Sequence, residues 1–162
     1  MLAALPSVIG DVRLRNTSLC KKMIYTFTIT CVFGLTLKDD CIRVLEISED
    51  SSLYDLHQAI QAAVKFDDDH LFGFYLAKGL RGRPQWLGRD GGDDQEEKYF
   101  SETPLRSIFP TSPQQLFYLF DFGDSWTFEI RKARGAKAPV PRAKYPRVIS
   151  REGRNPTQYP TY

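Results

Sequence analysis

Two histidines and two aspartates are the residues of this chain whose types and spacing suit metal binding or proton transfer. His57 and His70 are its only histidines, and Asp121 and Asp124 lie three residues apart in one short segment. Imidazole nitrogens and carboxylate oxygens bind divalent metals and also act as acids and bases. His70, Asp121 and Asp124 are therefore the candidate site of a metal-dependent enzyme. The alternative is that both histidines are structural, since ordinary ion-pair networks also perturb such groups.

The tripeptide DFG at residues 121–123 also occurs in protein kinases, where its aspartate binds magnesium beside ATP. A kinase additionally requires a Gly-rich loop, a lysine on a strand, a His-Arg-Asp loop and an Ala-Pro-Glu segment. None of these motifs occurs in the 162 residues, and the chain is too short for the two lobes of a kinase. The sequence therefore excludes a protein kinase.

The same segment is typical of a hairpin turn between two strands. Residues 116–120 are all apolar, as in a central strand, whereas residues 125–130 alternate between polar and apolar side chains. Glycine tolerates positive φ, and aspartate side chains bond to nearby backbone N–H groups. We therefore predict a structural turn with Gly123 at positive φ. Its residues are Asp121, Gly123, Asp124 and Trp126.

Local patterns in the first half of the chain predict a hairpin and a helix. Residues 23–33 and 41–48 are rich in β-branched and aromatic side chains, which indicates two paired strands. Ser52 and Asp55 are spaced as a capping box ahead of apolar residues at helical spacing. The main helix is predicted over residues 53–65.

The second half of the chain adds three strands and one helical turn. Strands are predicted over residues 70–77, 115–120 and 125–131, a long loop over 78–98, and one helical turn capped by Thr103 that ends at Ile108. The resulting order is ββαβ(short helix)ββ. We predict an α+β fold in which one main helix covers a mostly antiparallel sheet, similar to a β-grasp fold.

Charge is distributed unevenly along the chain. The net charge is +2, but residues 1–22 carry +3, residues 23–130 carry −9 and residues 131–154 carry +8. Such asymmetry predicts a partner for the basic segment, either the phosphates of DNA or RNA or the acidic body of the protein itself. The candidate phosphate-binding residues are Lys132, Arg134, Lys137, Arg142, Lys144, Arg147, Arg151 and Arg154.

Aromatic residues in the last two predicted strands allow two interpretations. They could stack on nucleic-acid bases, but aromatic residues at alternating positions of a strand more often form a hydrophobic core, which we favour. The residues concerned are Phe117, Tyr118, Phe120, Trp126 and Phe128.

The N-terminus and the cysteines bear on location. Residues 1–10 are apolar but have no basic start and contain Pro6, which is unlike a secretory signal, and they are too short to span a membrane. We predict a loosely ordered extension over residues 1–22, ahead of one domain over 23–160, with Met23 as an alternative start. Three cysteines without a CxxC pair indicate reduced thiols. A cytoplasmic protein with no membrane association and no cofactor is expected.

Four blocks of sequence resemble, in order, the plasmid pRiA4b ORF-3-like family. The blocks are residues 52–63, 67–74, 118–126 and 145–149, followed by Gly153 and Pro156. The resemblance extends over about residues 23–160. The family is known from plasmids and mobile elements, some members are labelled resolvase-like, and no activity is established for it. The resemblance therefore implies a mobile-element protein of uncharacterised function.

The chain departs from the family pattern at four places. The family usually has Trp-Arg-Arg at 42–44, histidines at the positions of Phe72 and Phe128, and Pro-Pro-Glu-Asp at 155–158, whereas this chain has Ile-Arg-Val, the two phenylalanines and Asn-Pro-Thr-Gln. The resemblance implies that any metal or acid-base site of the family is incomplete here.

A serine recombinase, which the resolvase label suggests, needs a nucleophilic serine among arginines and a helix-turn-helix. The arginines of this chain instead cluster in the Pro-containing segment 131–154. We therefore predict a non-catalytic accessory or interaction protein that contacts nucleic acid non-specifically through this segment, with another protein as a further candidate partner. The alternative is a metal-dependent enzyme with a site at the acidic hairpin and His70.

Overall fold

Seven strands and three helices make up the part of the chain that a computed structural model describes, namely residues 22–91, 94–109 and 114–159. The strands are Ile24–Phe33 (β1), Cys41–Ser48 (β2), Phe72–Ala77 (β3), Gln85–Arg89 (β4), Gln115–Phe120 (β5), Trp126–Lys132 (β6) and Arg147–Gly153 (β7). The helices are Leu53–Val64 (α1), Asp94–Glu102 (α2) and Leu105–Ile108 (α3). Residues 1–21 of the predicted extension lie outside the described part.

All neighbouring strands pair antiparallel, in the order β4-β3-β5-β6-β1-β2-β7. The predicted α+β class with a mostly antiparallel sheet is confirmed, but the predicted order of elements lacked β4, α2 and β7. The finer likeness to a β-grasp fold stays a prediction. None of the helices in the described ranges is long and apolar enough to cross a membrane.

The predicted first hairpin and main helix are both present. β1 and β2 pair from Ile24 opposite Ser48 to Thr30 opposite Ile42. At the start of α1, the Ser52 hydroxyl accepts a hydrogen bond from the Asp55 N–H at 3.1 Å, and the Asp55 carboxylate accepts one from the Ser52 N–H at 2.8 Å. This capping box satisfies two N–H groups that the helix itself leaves unpaired, which is why α1 begins after Ser52.

The hydrophobic core lies between one face of the sheet and the helices. Leu56 and Ile60 of α1 are fully buried and belong to the same cluster as Phe27 of β1 and Tyr118 of β5. On the opposite face of the sheet, Phe117 packs in a second, smaller cluster. Four of the five aromatic residues considered for base stacking, namely Tyr118, Phe120, Trp126 and Phe128, therefore lie in the main core.

The prediction of a long loop over residues 78–98 is wrong, because this range contains β4 and the start of α2. β4 contains no fully buried residue and its side chains show no alternation, so it is specified by pairing with β3. α2 buries only Phe100, so it lacks the repeated apolar face from which a helix is recognised in sequence. Both elements depend on tertiary contacts that local patterns do not contain.

The predicted cap at Thr103 is also wrong. The residue before the first turn of α3 is Pro104, and no side chain caps this helix. The Thr103 hydroxyl instead donates to the Tyr99 carbonyl at 2.6 Å, at the end of α2.

The turn between β5 and β6 is present, but its backbone differs from the prediction. Asp121 Oδ1 accepts hydrogen bonds from the N–H groups of Gly123 at 2.9 Å and Asp124 at 3.3 Å, as expected for a turn aspartate. Positive φ angles occur at Asp121 (54°) and Ser125 (55°) and not at Gly123. The reason is the length of the turn, which the Ser125 N–H closes on the Asp121 carbonyl at 2.6 Å. The left-handed residues therefore stand at the two ends of the turn.

The basic segment 131–154 contributes a strand, β7, that sequence patterns did not indicate. β7 lies at the edge of the sheet and pairs with β2 from Glu46 opposite Arg147 to Cys41 opposite Gly153. Lys137 pairs with Ile24 through two backbone hydrogen bonds of 2.8 and 3.0 Å. β7 carries charged side chains, as is usual for a strand at an exposed edge, so its sequence lacks the apolar pattern by which a strand is recognised.

Candidate functional site

An open pocket of about 530 Å³ lies beside α1, the start of β3 and α2. Its lining carries five carboxylates and two histidines but no lysine or arginine. Three of its aromatic side chains, Tyr54, Phe72 and Phe100, supply apolar surface. The lining residues are Tyr54, His57, Asp68, Asp69, His70, Leu71, Phe72, Asp90, Asp94, Glu97 and Phe100.

His57 forms one wall of the pocket and is buried, with 1% of its surface exposed. α1 places its ring flat on Phe72, with 3.7 Å between ring centroids and 9° between planes. Nδ1 lies 2.7 Å from the Tyr118 hydroxyl, and Nε2 lies 3.0 Å from the Asp68 carboxylate. Both ring nitrogens of His57 are therefore already hydrogen-bonded within the protein.

The hydrogen bonds around His57 assign its tautomer. Gln61 Nε2 donates to the Tyr118 hydroxyl oxygen at 2.8 Å, which leaves the Tyr118 hydrogen to be donated to His57 Nδ1. His57 then carries its own hydrogen on Nε2 and donates it to Asp68. Burial lowers the pKa of His57, although the negative charge of Asp68 acts in the opposite direction. His57 is thus a neutral donor that orients Asp68, with no free lone pair facing the pocket.

His70 stands at the mouth of the pocket and is partly exposed. Its Nδ1 lies 2.8 Å from Asp69 Oδ1, and its Nε2 lies 3.7 Å from Asp121 Oδ2. The hydrogen bond to Asp69 raises the pKa of His70, and the charges of Asp121 and Asp124 act in the same direction. His70 is therefore engaged in ion pairs with the carboxylates around it.

The structure brings together two of the three residues predicted to bind a metal. His70 and Asp121 are neighbours, whereas Asp124 acts on His70 only through its charge. One carboxylate oxygen of Asp121 also accepts a hydrogen bond from the backbone of its own turn. Within residues 22–91, 94–109 and 114–159, no group of three or more His, Cys, Asp or Glu side chains is placed to hold a metal ion.

The C-terminal residues fasten the acidic wall of the pocket. The side chain of Gln158 is buried, accepts the Asp67 N–H at 2.7 Å and donates to the Asp67 carbonyl and to Asp69 Oδ1, both at 3.0 Å. The Tyr159 hydroxyl donates to Asp69, which raises the pKa of Tyr159 to about 12. The turn that supplies Asp68, Asp69 and His70 is thereby held in place by the end of the chain.

Several residues of the site were missed by sequence reasoning. Asp68 and Gln61 were not singled out, and Tyr118 and Gln158 were considered only as a strand aromatic and as part of a departure from the family pattern. Their hydrogen-bond partners lie 11 to 91 positions away along the chain. One signal was available, since His57 and Gln61 are four residues apart and therefore share a face of α1. Two polar residues on a face that is otherwise apolar indicate a buried hydrogen-bond network.

The bases predicted to contact phosphate fall into two groups. Four are engaged within the protein: Lys132 donates to the carbonyls of Ala133 and Gly135, Lys137 and Arg147 pair with Glu46, and Arg151 donates to the Ala63 carbonyl. The other four are exposed and form no ion pair with any described residue. These are Arg134, Arg142, Lys144 and Arg154.

The pairing with Glu46 shows that the basic segment docks on the protein's own body. Glu46 is 2% exposed. Burial alone would raise the pKa of its carboxyl, but the hydrogen bonds and charges of Lys137 and Arg147 outweigh burial and lower it. Of the two partners predicted for the basic segment, the acidic body of the protein is therefore the partner of Lys137 and Arg147.

Two of the three cysteines lie in the described part of the chain. Cys31 and Cys41 are free thiols, as predicted, and both are buried. Burial raises the pKa of Cys31 to about 12, and nearby Cys41 adds to the effect. These thiols are unreactive at neutral pH because the thiolate is the reactive form. Cys20 lies outside the described residues.

Residues 26–158 match the family described as Plasmid pRiA4b ORF-3-like protein. The chain belongs to this family. A solved structure of a protein of unknown function from Methanosarcina mazei Go1 is similar to this family member, with a TM-score of 0.62, 23% sequence identity, and coverage of 80% of this chain and 70% of that chain. At this identity the similarity concerns the fold. No curated protein is significantly similar to the chain.

Two of the four departures of this pRiA4b ORF-3-like protein from its family pattern lie at the pocket. Phe72 lines the pocket beneath His57, and Gln158 binds the turn that carries Asp69. Phe128 is buried in the core. In the departure at residues 42–44, Arg43 is buried, and its guanidinium donates to the carbonyls of Ala63, Ile42 and Glu152. The histidine that the family pattern has at 72 would therefore add a polar group to this pocket, whereas residue 158 lies outside its lining.

Proposed function

We propose that this pRiA4b ORF-3-like protein is a non-catalytic interaction protein and that the pocket is the site at which it holds a cationic group of its partner. One observation carries the proposal. The pocket presents five carboxylates and no lysine or arginine, while its histidines are committed to hydrogen bonds and ion pairs within the protein. Such a site can bind positive charge, and it offers no free imidazole for proton transfer.

The apolar part of the lining suits a guanidinium or ammonium group on an alkyl chain. Carboxylates bind such groups through charge-assisted hydrogen bonds. Cations also bind to the faces of aromatic rings, and the partly exposed Tyr54 supplies such a ring beside the carboxylates. The hydrogen bond from His57 holds Asp68 in one orientation before a ligand arrives, which reduces the ordering cost of binding. The predicted cytoplasmic location is part of this proposal.

Methylguanidinium is expected to bind in the pocket of the intact protein. In a titration followed by ¹H–¹⁵N spectra, amide shifts should be confined to the lining residues of α1, β3 and α2. Replacing Asp68 by asparagine together with Glu97 by glutamine should weaken binding by about tenfold or more, since a hydrogen bond to a charged group contributes about 1.5–3 kcal/mol. The change at Asp68 keeps the local structure, because the asparagine amide oxygen can still accept the hydrogen bond from His57.

A matched control is the replacement of Glu102 by glutamine. Glu102 ends α2, is exposed and does not line the pocket, so this variant should bind methylguanidinium like the unchanged protein. Absence of amide shifts, or equal binding by the pocket variant, would contradict the proposal. The alternative of a metal-dependent enzyme is favoured by one observation, the 3.7 Å separation of His70 Nε2 and Asp121 Oδ2. The same spectra recorded with Zn²⁺ would support it through shifts around these two residues.

Non-specific contact with nucleic acid is a second candidate function. It is supported by the four exposed bases of segment 131–154 that form no ion pair with the described residues. Four bases are a smaller phosphate-binding set than the eight that the sequence predicted. The salt dependence expected of this contact is set out in the Discussion.

A further inference from the structure

The segment between β6 and β7, residues 133–146, is an exposed basic arm with a stiff tip. The tip is a turn in which the Ala143 N–H bonds to the Val140 carbonyl at 3.1 Å. Pro141 fixes one central φ angle, and Arg142 occupies the other central position with φ of 65°. This left-handed position usually belongs to glycine or asparagine.

A strained arginine at the tip of an exposed turn indicates a role outside the folding of this chain. The Arg142 side chain is exposed and pairs with no carboxylate among the described residues. Backbone strain of this kind persists where the surrounding structure imposes it and is common at ligand-binding positions. The turn therefore holds an exposed guanidinium group that no carboxylate of the described residues neutralises.

The pocket and the arm of one chain are distant in the sheet. The pocket lies at β3, whereas the arm is paired with β1 at Ile24 and continues into β7 beyond β2. β5, β6 and β1 lie between β3 and β2 in the sheet. The four spacings between neighbouring strands place β3 and β2 about 19 Å apart. No described contact joins Arg142 to a residue of the pocket.

We propose that the arm of one copy, with Arg142 at its tip, docks in the acidic pocket of a second copy. The inference rests on the proposed function and names the partner that supplies the cation. Charge complementarity supports it, because Arg134, Arg142 and Lys144 of the arm form no ion pair with any described residue, while the pocket carries five carboxylates and no lysine or arginine. A guanidinium group matches carboxylates such as Asp68 and Glu97 through paired hydrogen bonds, and it also stacks on aromatic rings such as Tyr54.

The contact joins two different surfaces and therefore determines how copies assemble. If each of two copies inserts its arm into the other, the assembly closes as a dimer, and otherwise it grows by adding copies. In both cases the contact is between charged, partly exposed groups, so salt weakens it. Association should therefore increase with protein concentration and decrease with ionic strength.

Sedimentation velocity of the full chain at about 50 mM and about 500 mM salt tests the proposal. We expect a mass above that of the monomer at low salt and a monomer at high salt. The variant Arg142→Glu and the variant Asp94→Lys/Glu97→Lys should each be monomeric at both salt concentrations. An equal mixture of the two variants should associate again, because the unchanged arm of one variant meets the unchanged pocket of the other, and the two reversed charges also attract each other. The control Lys38→Glu, an exposed charge change in the loop between β1 and β2, should associate like the unchanged protein.

The outcomes separate this inference from the proposed function. A monomer at every concentration and salt, or an Arg142→Glu variant that associates normally, overturns docking between copies. If methylguanidinium nevertheless binds in the pocket, the proposed function stands and another protein or small molecule supplies the cation. Circular dichroism checks that each variant is folded. The milder change Arg142→Gln should also weaken association at low salt. A mixture of variants that stays monomeric would show that the arm and the pocket do not meet.

Discussion

Replacing Ile60 by alanine is expected to lower the free energy of unfolding by about 2–4 kcal/mol. Ile60 is fully buried on the face of α1 that packs in the core with residues of the sheet. The change removes three carbon atoms from a site where neighbouring side chains cannot fill the space, so both apolar burial and packing are lost. Denaturation by urea, followed by circular dichroism, measures the difference directly.

A control on the same helix separates burial from helix propensity. Gln58 is exposed on the opposite side of α1, so its replacement by alanine should change the free energy of unfolding by less than about 0.5 kcal/mol. A similar small effect for Ile60→Ala would mean that this face of α1 does not cover the sheet. The pocket would then lack its support, since α1 also carries His57.

Binding of duplex DNA by the basic segment 131–154 is expected to fall about a hundredfold between 50 and 200 mM salt. The physical reason is the release of counterions when protein bases neutralise phosphates. Four bases of segment 131–154 remain exposed without an ion pair to a described residue, and four neutralised phosphates give a slope of about −3 to −4 in log affinity against log salt. Affinity should not depend on base sequence, because such contacts reach only the backbone.

Fluorescence anisotropy with labelled duplexes measures this slope. Replacing Arg134, Arg142, Lys144 and Arg154 by glutamine should abolish most of the binding. A control with four exposed bases of the body changed in the same way, at Lys38, Lys78, Arg81 and Arg83, should bind nearly as well as the unchanged protein. If both variants lost DNA affinity equally, the contact would not depend on these four bases of segment 131–154. Absence of DNA binding by the unchanged protein at low salt would reject this function. If the arm also docks between copies, DNA should compete with self-association.

The sequence predicted those parts of the fold whose signals are local. The alternating side chains of β1 and the capping box of Ser52 and Asp55 identify their elements without knowledge of the rest of the chain. β4 and β7 carry exposed or charged side chains and exist because β3 and β2 supply hydrogen-bond partners. Their formation depends on long-range pairing, which no local pattern contains.

The candidate site was predictable only in part for the same reason. His70 and Asp121 were assigned to one candidate site from their residue types, and their side chains do lie 3.7 Å apart. The link from Gln61 through Tyr118 and His57 to Asp68 joins residues that are 57, 61 and 11 positions apart. Sequence reasoning considered His57 as a structural histidine, and the structure adds that its partner lies in the pocket.

The two histidines contribute to stability with opposite dependence on pH. The pKa of His57 lies below 6.5 in the folded protein, so folding disfavours its protonation, and its contribution to stability is lost as pH falls below about 6.5. The pKa of His70 lies above 6.5, so its contribution is present below about 6.5 and is lost as pH rises through the folded-state pKa. Ring signals of only two histidines are easily distinguished by NMR.

A pH titration of the two histidine rings by ¹H–¹⁵N NMR tests the central claim, that the pocket holds positive charge and offers no free imidazole for proton transfer. The account predicts that His57 titrates below pH 6.5 with its neutral hydrogen on Nε2, and that His70 titrates above pH 6.5. Replacing Asp68 by asparagine should lower the pKa of His57 further, because a negative charge that favours the protonated ring is removed. A His57 that titrates at or above pH 6.5, or that carries its neutral hydrogen on Nδ1 and leaves Nε2 open to the pocket, would contradict the account and favour a catalytic site.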